Sequence, residues 1–430
     1  MLHKGCRGDS EYLMTRATID DTRLDLAYIS PLNPVQSGLS DYSEALLPAL
    51  SEFASITLYS DCGMPSNPLI AEQFRIRPIQ LLPRYRTQHD LRLYQIGNST
   101  HHQSAFDSCR RLPGVITLHE PFLHHGFCGA SSLRYRREVF YELGCPDRAG
   151  VERLARCLVD WTSADNRQQL MVVPLIGRLV DSSLGIIVHS RTARQIVESH
   201  RSVRSSHRQH PVQITVIPQP MHVIDVCHPL ESRVEFGWPE EAVVFGIAGA
   251  IQATKEPHLV LRAFARGVAI LSHACLAFMG ETPKDDGLPD LARELGVADR
   301  VTFVGRVDPL DRMHRAMAAC DVIINLRQPT IGETSGTALR AMALGRPLIV
   351  RDVGWYSELP DEACLKIGPG AGVDDLASAM LTLGTSSEAR QRLGDEARRY
   401  VQTECDVSTV ARRYAEFLWA VYEQGVGGLC

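Results

Sequence analysis

Three features of this 430-residue sequence predict a doubly wound α/β protein with two parallel-sheet units facing each other across a cleft. Short apolar runs alternate with helix-like stretches through the first half, the signature of a parallel sheet with helical crossovers. The same alternation restarts after residue 240. Between the two lies "IPQPMHVIDVCHPLESRVEFGWPEE" (217–241), a Pro-bearing and weakly periodic stretch of hinge character. In open sheets of this kind ligands sit beyond the carboxyl ends of the strands, so the loops that follow strands are where chemistry is expected.

Taken in order, residues 1–23 read as a loose extension, 24–220 as the N-terminal unit and 221–240 as the linker. Residues 241–405 read as the C-terminal unit, and 406–430 as a final helix and tail. "LDLAYISP" (24–31) opens the first unit as a buried strand, followed by the polar turn "LNPVQSGLSD" and the helix-like "YSEALLPALSEFA". "SITLYSD", "LYQIG", "GVITLHE" and "GIIVHS" continue as strands, each ending in polar residues. The second unit begins with the strand "AVVFGIAGA" (242–250) and the helix "PHLVLRAFARGVAIL". "ACLAFMG" follows as a strand, "LPDLARELG" as a helix, "RVTFVGRV" as a strand and "DRMHRAMAAC" as a helix. "DVIINLR" and "PLIVRD" are strands on either side of the helix "SGTALRAMALG". Val407, Val410, Ala411, Tyr414, Leu418 and Val421 recur at three- and four-residue steps, an amphipathic last helix.

Composition narrows the function classes. A net charge of −5 and a sequence pI near 6.4 give no global basic field for nucleic acid. Basic runs such as "RYRTQHDLR" read as solvated faces, with peripheral contact at an inner membrane surface as the minority reading. The twelve cysteines are scattered singly, without CxxC or zinc-ligand spacing, so buried free thiols in a reducing compartment are expected. No apolar leader opens the sequence and no run of eighteen apolar residues occurs, so a cytoplasmic protein is expected.

The most informative stretch is "TIGETSGTALRAMALGRPLIV" (330–350). Strand, loop and helix in this order aim unpaired backbone N–H groups and a positive dipole end at the cleft, a site for an anion such as phosphate. Gly336, lacking Cβ, allows close approach of a ligand to the backbone. The plainer reading, in which Ser335 caps the helix and Gly336 eases the turn, fits the same residues.

"AMALGRPLIV", continued by "VGWYSELPD", resembles the donor-binding signature of glycosyltransferase family 4, retaining enzymes of the GT-B fold that use nucleotide sugars. "PLNPVQSGLSDYSEALLPAL" is similar to the family's N-terminal glycine loop and first helix, and "YQIGNSTHH" and "VITLHEPFLHH" to a subset with a histidine-bearing loop. "FGIAGAIQATKEPHLVLRAF" resembles the strand, loop and lysine that open the C-terminal domain, and "LGVADRVTFVGRV" the lead into the nucleobase pocket. The resemblance implies two Rossmann-like domains, with the last helix crossing back to the N-terminal one.

It also implies roles. Lys255 and the helix start at Ser335, Gly336 and Thr337 would stabilise the diphosphate leaving group, Glu333 would hold the sugar hydroxyls, and Gly38 would approach the diphosphate from the N-terminal side. Thr334 and Arg340 join the donor side, and Gly305 and Arg306 border the base pocket. His119 resembles the family's active-site histidine. Asn98, His102, Glu120 and His125 are acceptor-side candidates, and Glu358 a brace. No metal and no cofactor beyond the nucleotide-sugar donor are implied. The acceptor and the oligomeric state are not legible.

The sequence departs from the family at three points. Its second glutamate, which holds the ribose, aligns with Arg340, and an arginine accepts no hydrogen bond from a hydroxyl. Arg340 either compensates for lost phosphate contacts or packs along the helix with its head in water. Ungapped alignment puts the first glutamate at Gly332; a one-residue deletion puts it at Glu333. The phosphate-binding arginine is replaced by Ala250. Two readings follow, a retaining transferase and a nucleotide-sugar-binding subunit without transfer. A dinucleotide-dependent oxidoreductase is poorer, because "GIAGAIQATK" lacks GxGxxG spacing.

Overall fold

The computed structural model describes residues 23–427, apart from 36, 128–131, 145–147, 160–163, 204–211, 227–228 and 284–285. The expected loose extension, all but Arg23, and the last three residues of the tail lie outside the described residues.

Seven strands form the first sheet: β1 (Leu24–Ile29), β2 (Ala54–Ser60), β3 (Arg75–Pro78), β4 (Leu91–Ile96), β5 (Val115–Leu118), β6 (Gly185–Val188) and β7 (Gln213–Val216). Their order is β3-β2-β1-β4-β5-β6-β7, and every pair is parallel. Six strands form the second: β8 (Val243–Ala248), β9 (Ala274–Met279), β10 (Val301–Phe303), β11 (Val322–Asn325), β12 (Leu348–Arg351) and β13 (Leu365–Ile367). The order here is β10-β9-β8-β11-β12-β13, again parallel throughout.

The strands are apolar on both sides because both sides are covered by helices. In β1, Leu26 and Tyr28 join a cluster with Leu46, Leu47 and Leu418, while Ala27 and Ile29 join another with Ile116 and Leu118. In β8, Val244 and Ala248 face one core and Phe245 and Ile247 the other. In both sheets the order reverses beside the first strand, between β1 and β4 and between β8 and β11, where a crevice opens for a ligand.

Several elements differ from the sequence reading. The first helix is Gly38–Leu50, starting four residues before the apolar pattern because the Ser37 side chain accepts from Leu39 N. The hinge-like segment contains a helix, Pro229–Phe236. Its Arg233, buried, donates to Ala319 O at 3.1 Å and pairs with Asp321 at 2.7 Å, which fastens it to the second sheet's helices. Seven described cysteines are free thiols, and Cys109, Cys157, Cys320, Cys364 and Cys405 are buried. Among the described residues no helix is long and apolar enough to cross a membrane.

The last helix, Val407–Gly427, lies against the N-terminal sheet. A Cβ at Gly185 would sit 2.8 Å from Val421 and 3.0 Å from Phe417, so glycine in β6 is what lets the helix approach. The Tyr414 hydroxyl is 2.5 Å from the Tyr42 hydroxyl and 3.2 Å from Thr117 Oγ1, all buried. Tyr414→Phe strands two buried hydroxyls and is expected to cost about 1–3 kcal/mol. Urea unfolding should show a lower midpoint at unchanged slope; an unmoved midpoint would mean that the apolar face alone holds the helix.

Candidate active site

Between the carboxyl ends of the two sheets lies a cavity of about 540 Å³. Its walls include Gly38, Asn98, His102, His119, Glu120, Lys255, Glu333, Thr334, Ser335, Gly336, Thr337 and Arg340. Twelve residues singled out in the sequence, far apart along the chain, thus meet in one place.

The C-terminal wall is built around Gly249, which follows β8 at φ +77°. A Cβ there would meet Lys255 Nζ at 3.0 Å and Thr337 Oγ1 at 3.2 Å, so the lysine and the helix start flank a single point. Lys255 sits in a 3₁₀ turn, Ala253–Lys255, and its ammonium donates to Ala248 O. The next residue, Glu256, takes φ +53° and grips the buried Arg351 through two 2.8 Å bonds, anchoring the loop to β12. Burial, then the nearby Arg327 charge, pushes the Lys255 pKa down to about 7. In the helix Gly336–Ala343, Ser335 Oγ accepts from Ala338 N at 3.2 Å and from Asn325 Nδ2 at 3.0 Å. Ser335 is therefore a cap. By helix geometry the amides of Gly336 and Thr337 remain for a ligand.

Glu333 is held rigidly. Oε2 accepts from Ile331 N at 2.7 Å and from Thr330 Oγ1 at 3.0 Å, and Oε1 pairs with Arg327 Nε at 2.9 Å. Gly332 is buried at φ +80°, where a Cβ would meet Ile196 at 2.8 Å and Pro121 at 2.9 Å. No side chain fits there, so the carboxylate reaching the cavity is that of Glu333.

On the N-terminal wall, His189 Nδ1 lies 2.8 Å from Ile217 O and so carries the proton. His189 Nε2 then accepts from His119 Nδ1 at 3.1 Å, which leaves His119 Nε2 as an acceptor beside the Gln95 amide, 2.8 Å away. The amide atom placed there is Gln95 Oε1, while Gln95 Nε2 has no partner among the described residues, and exchanging the two satisfies both groups. Tyr42 packs edge-on to His119 at 4.5 Å. Burial above all, and next the proximity of the His189 and His102 rings, holds His119 well below the usual imidazole range, so the ring is neutral. A ligand contact from either nitrogen replaces one of these bonds. His102 is buried and lowered to about 4 by burial, and its Nδ1 has no partner among the described residues. Glu120 bonds with Asn98, and its pKa rises to about 7, first through lost hydration and then through the Glu333 charge.

Arg340 does not keep its head in water. Its guanidinium is 3.2 Å from Asp41 on the helix Gly38–Leu50, bridging the two halves over the donor side. Glu358 also spans them, accepting from Arg191 N at 2.9 Å and Thr192 N at 2.7 Å at the start of the helix Arg191–Val203. His125 lines a neighbouring cavity instead. Gly305 and Arg306 line neither; Arg306 pairs with Asp308 at the surface. Among the described residues no group of three or more His, Cys, Asp or Glu is placed to hold a metal ion.

Comparison with known proteins fits this geometry. Residues 242–386 match the family described as Glycosyl transferases group 1. The D-inositol 3-phosphate glycosyltransferase of Stackebrandtia nassauensis is 32% identical over 211 residues, 45% of this chain and 47% of the relative. That of Mycobacterium marinum is 33% identical over 222 residues, 50% of this chain and 45% of the relative. The chain thus spans about half the length of the curated relatives it matches. Anabaena HepE, solved with UDP, aligns over 92% of this chain and all of its own, with a TM-score of 0.64 at 15% identity. The fold is GT-B.

Within the matched segment and the wall facing it, sequence reasoning missed Arg327, His189, Asp41 and Gln219, all of which line the cavity. Arg327 alone had a usable signal, a charge directly after the strand run "DVIINLR".

Because the native Lys255 pKa lies below its unfolded value of 10.5, the unfolded chain binds more protons between about pH 7 and 10.5. Stability without ligand therefore gains a rising contribution across that window. Lys255→Met should remove this rise and stabilise the ligand-free protein at pH 7 by about 1–3 kcal/mol. Unfolding midpoints of both proteins from pH 6 to 10 decide it; parallel curves would place the ammonium in water.

Proposed function

We propose that the chain is a retaining, metal-independent glycosyltransferase that moves a sugar from a nucleotide-diphosphate-sugar donor to an acceptor. The observation that carries this reading is the meeting of Lys255 Nζ, Thr337 and the first helix turn around Gly249, with Glu333 on the same wall. Breaking a glycosyl–phosphate bond develops negative charge on the leaving diphosphate and positive charge on the sugar. A helix start alone contributes about 0.3–2 kcal/mol. Preorganised amides together with a dehydrated ammonium contribute far more, since one lost donor of this kind costs about 10²–10³ in kcat.

Each wall has its task in this reading. Lys255 and the amides of Gly336 and Thr337 take the diphosphate, with Gly38 opposite them. Glu333, braced by Arg327, accepts from sugar hydroxyls. His119, fixed by His189, shapes the sugar pocket on the N-terminal side. Glu120 and Asn98 stand where an acceptor enters. The D-inositol 3-phosphate glycosyltransferase relatives support the reaction class, and HepE, solved with UDP-glucose, supports the donor class.

The second reading, donor binding without transfer, draws on Ala250 and on the Arg340–Asp41 pair where the family places a ribose-binding carboxylate. A panel of nucleotide sugars separates them. The matching donor at 100 times its Kd should raise stability by about 2.7 kcal/mol in a thermal shift. Slow donor hydrolysis should accompany it and fall by about 10²–10³ in Lys255→Ala. A shift without turnover supports the binding subunit, and no shift with any donor removes both readings.

A further inference from the structure

Beside the donor cleft lies a second cavity of about 340 Å³, at the small end of ligand pockets and large enough for one or two rings. The two cavities share Asn98, Glu120, Gln252, Arg327 and Glu333, which form the neck between them. Beyond the neck the walls turn apolar, with Phe122, Leu170, Met171, Pro329 and Ile331. A hydroxyl at the neck would stand next to the Glu333 sugar site, and the body it belongs to would fill the chamber.

The charges of this chamber are unequal. Among the described residues that line it, Arg327 is the one permanent cation. Its Nε is paired with Glu333 at 2.9 Å and its Nη1 donates to Thr254 Oγ1 at 2.9 Å. Facing it are two carboxylates, Glu120 and Glu333. His124 is committed to the carbonyls of Leu170 (2.9 Å) and Val173 (2.6 Å) and to the Tyr135 hydroxyl (2.9 Å). Burial lowers the pKa of both His124 and His125, which keeps them neutral. Burial first, and then the Glu333 charge, raises the Glu120 pKa to about 7. A phosphate brought here would meet like charge in a poorly hydrated space, with no spare cation among the described lining residues to receive it.

We propose that this chamber holds the acceptor, and that the acceptor is an uncharged hydroxyl compound of about ring size, a polyol or sugar, rather than a phosphorylated one. This rests on the transferase reading for its purpose, and it parts from the phosphorylated compound in the names of the curated relatives. Apolar walls fit the C–H faces of a ring, while Glu120 and Asn98 at the neck take its hydroxyls.

The test uses the full chain and two matched pairs, myo-inositol with its 3-phosphate and glucose with its 6-phosphate. Binding is followed by saturation-transfer NMR with pyrophosphate present to occupy the donor cleft. The neutral members should bind at least about tenfold more tightly than their phosphates. At pH 8, where Glu120 is ionised, Glu120→Gln removes its charge at constant size and should shrink that ratio severalfold, and Met171→Trp, which fills the chamber, should abolish neutral binding while leaving the donor-induced thermal shift. Equal or tighter binding of the phosphates overturns the proposal, as does neutral binding that is absent or untouched by Met171→Trp, or a ratio unmoved by Glu120→Gln. Chamber binding without any donor shift would sink the transferase reading alone; a donor shift without chamber binding would sink this inference alone.

Discussion

An ammonium group buried at the end of β8 sets the terms for the whole cleft. Lys255 is 7% exposed, and the acceptor it reaches among the described residues is the carbonyl of Ala248. Keeping a cation there is unfavourable unless an anion arrives to share the space. The loop that holds it is built at further cost. Glu256 occupies a left-handed conformation, and the 2% exposed Arg351 is desolvated to clamp it, its guanidinium satisfied by that carboxylate and by the carbonyls of Gly368, Pro369 and Ala371. The buried pair over-determines the backbone, so the lysine stays aimed beside Gly249 instead of turning to solvent.

The second constraint is the join between the halves. Gly332 packs its bare Cα against Pro121 and Ile196, Glu358 caps a helix of the opposite half, and Arg340 meets Asp41. These contacts join the two halves around the cavity and set the spacing of its walls in this conformation. Glu333 follows directly after Gly332, so the packing that brings the halves together also orients the carboxylate. Arg340 has the same double character, because its Nη1 lies 3.3 Å from where a Cβ at Gly336 would be and its Nη2 reaches Asp41.

Much of this was legible in the sequence because the central strands are short apolar runs buried on both faces, and such runs stand out. The strands β3, β7 and β13 did not. "RIRP" alternates arginine with apolar residues, and "QITV" and "LKI" are short pieces near or at sheet edges where half the residues meet water. The site was readable where chemistry follows local order, as with Lys255 after β8 or Ser335, Gly336 and Thr337 after β11. It was not readable where function depends on partners distant in the chain. Asp41 matters through Arg340, 299 residues away, and His189 through His119, 70 residues away, and neither pairing leaves a trace in local pattern.

The closing helix belongs to this picture in a way its position at the far end of the chain conceals. Tyr414 touches the Tyr42 hydroxyl, and the Tyr42 ring leans against both His119 and His189. A protein shortened to its two sheets would lose the peg that steadies those rings, so the outermost segment of the polypeptide acts as a keystone for one of its innermost surfaces.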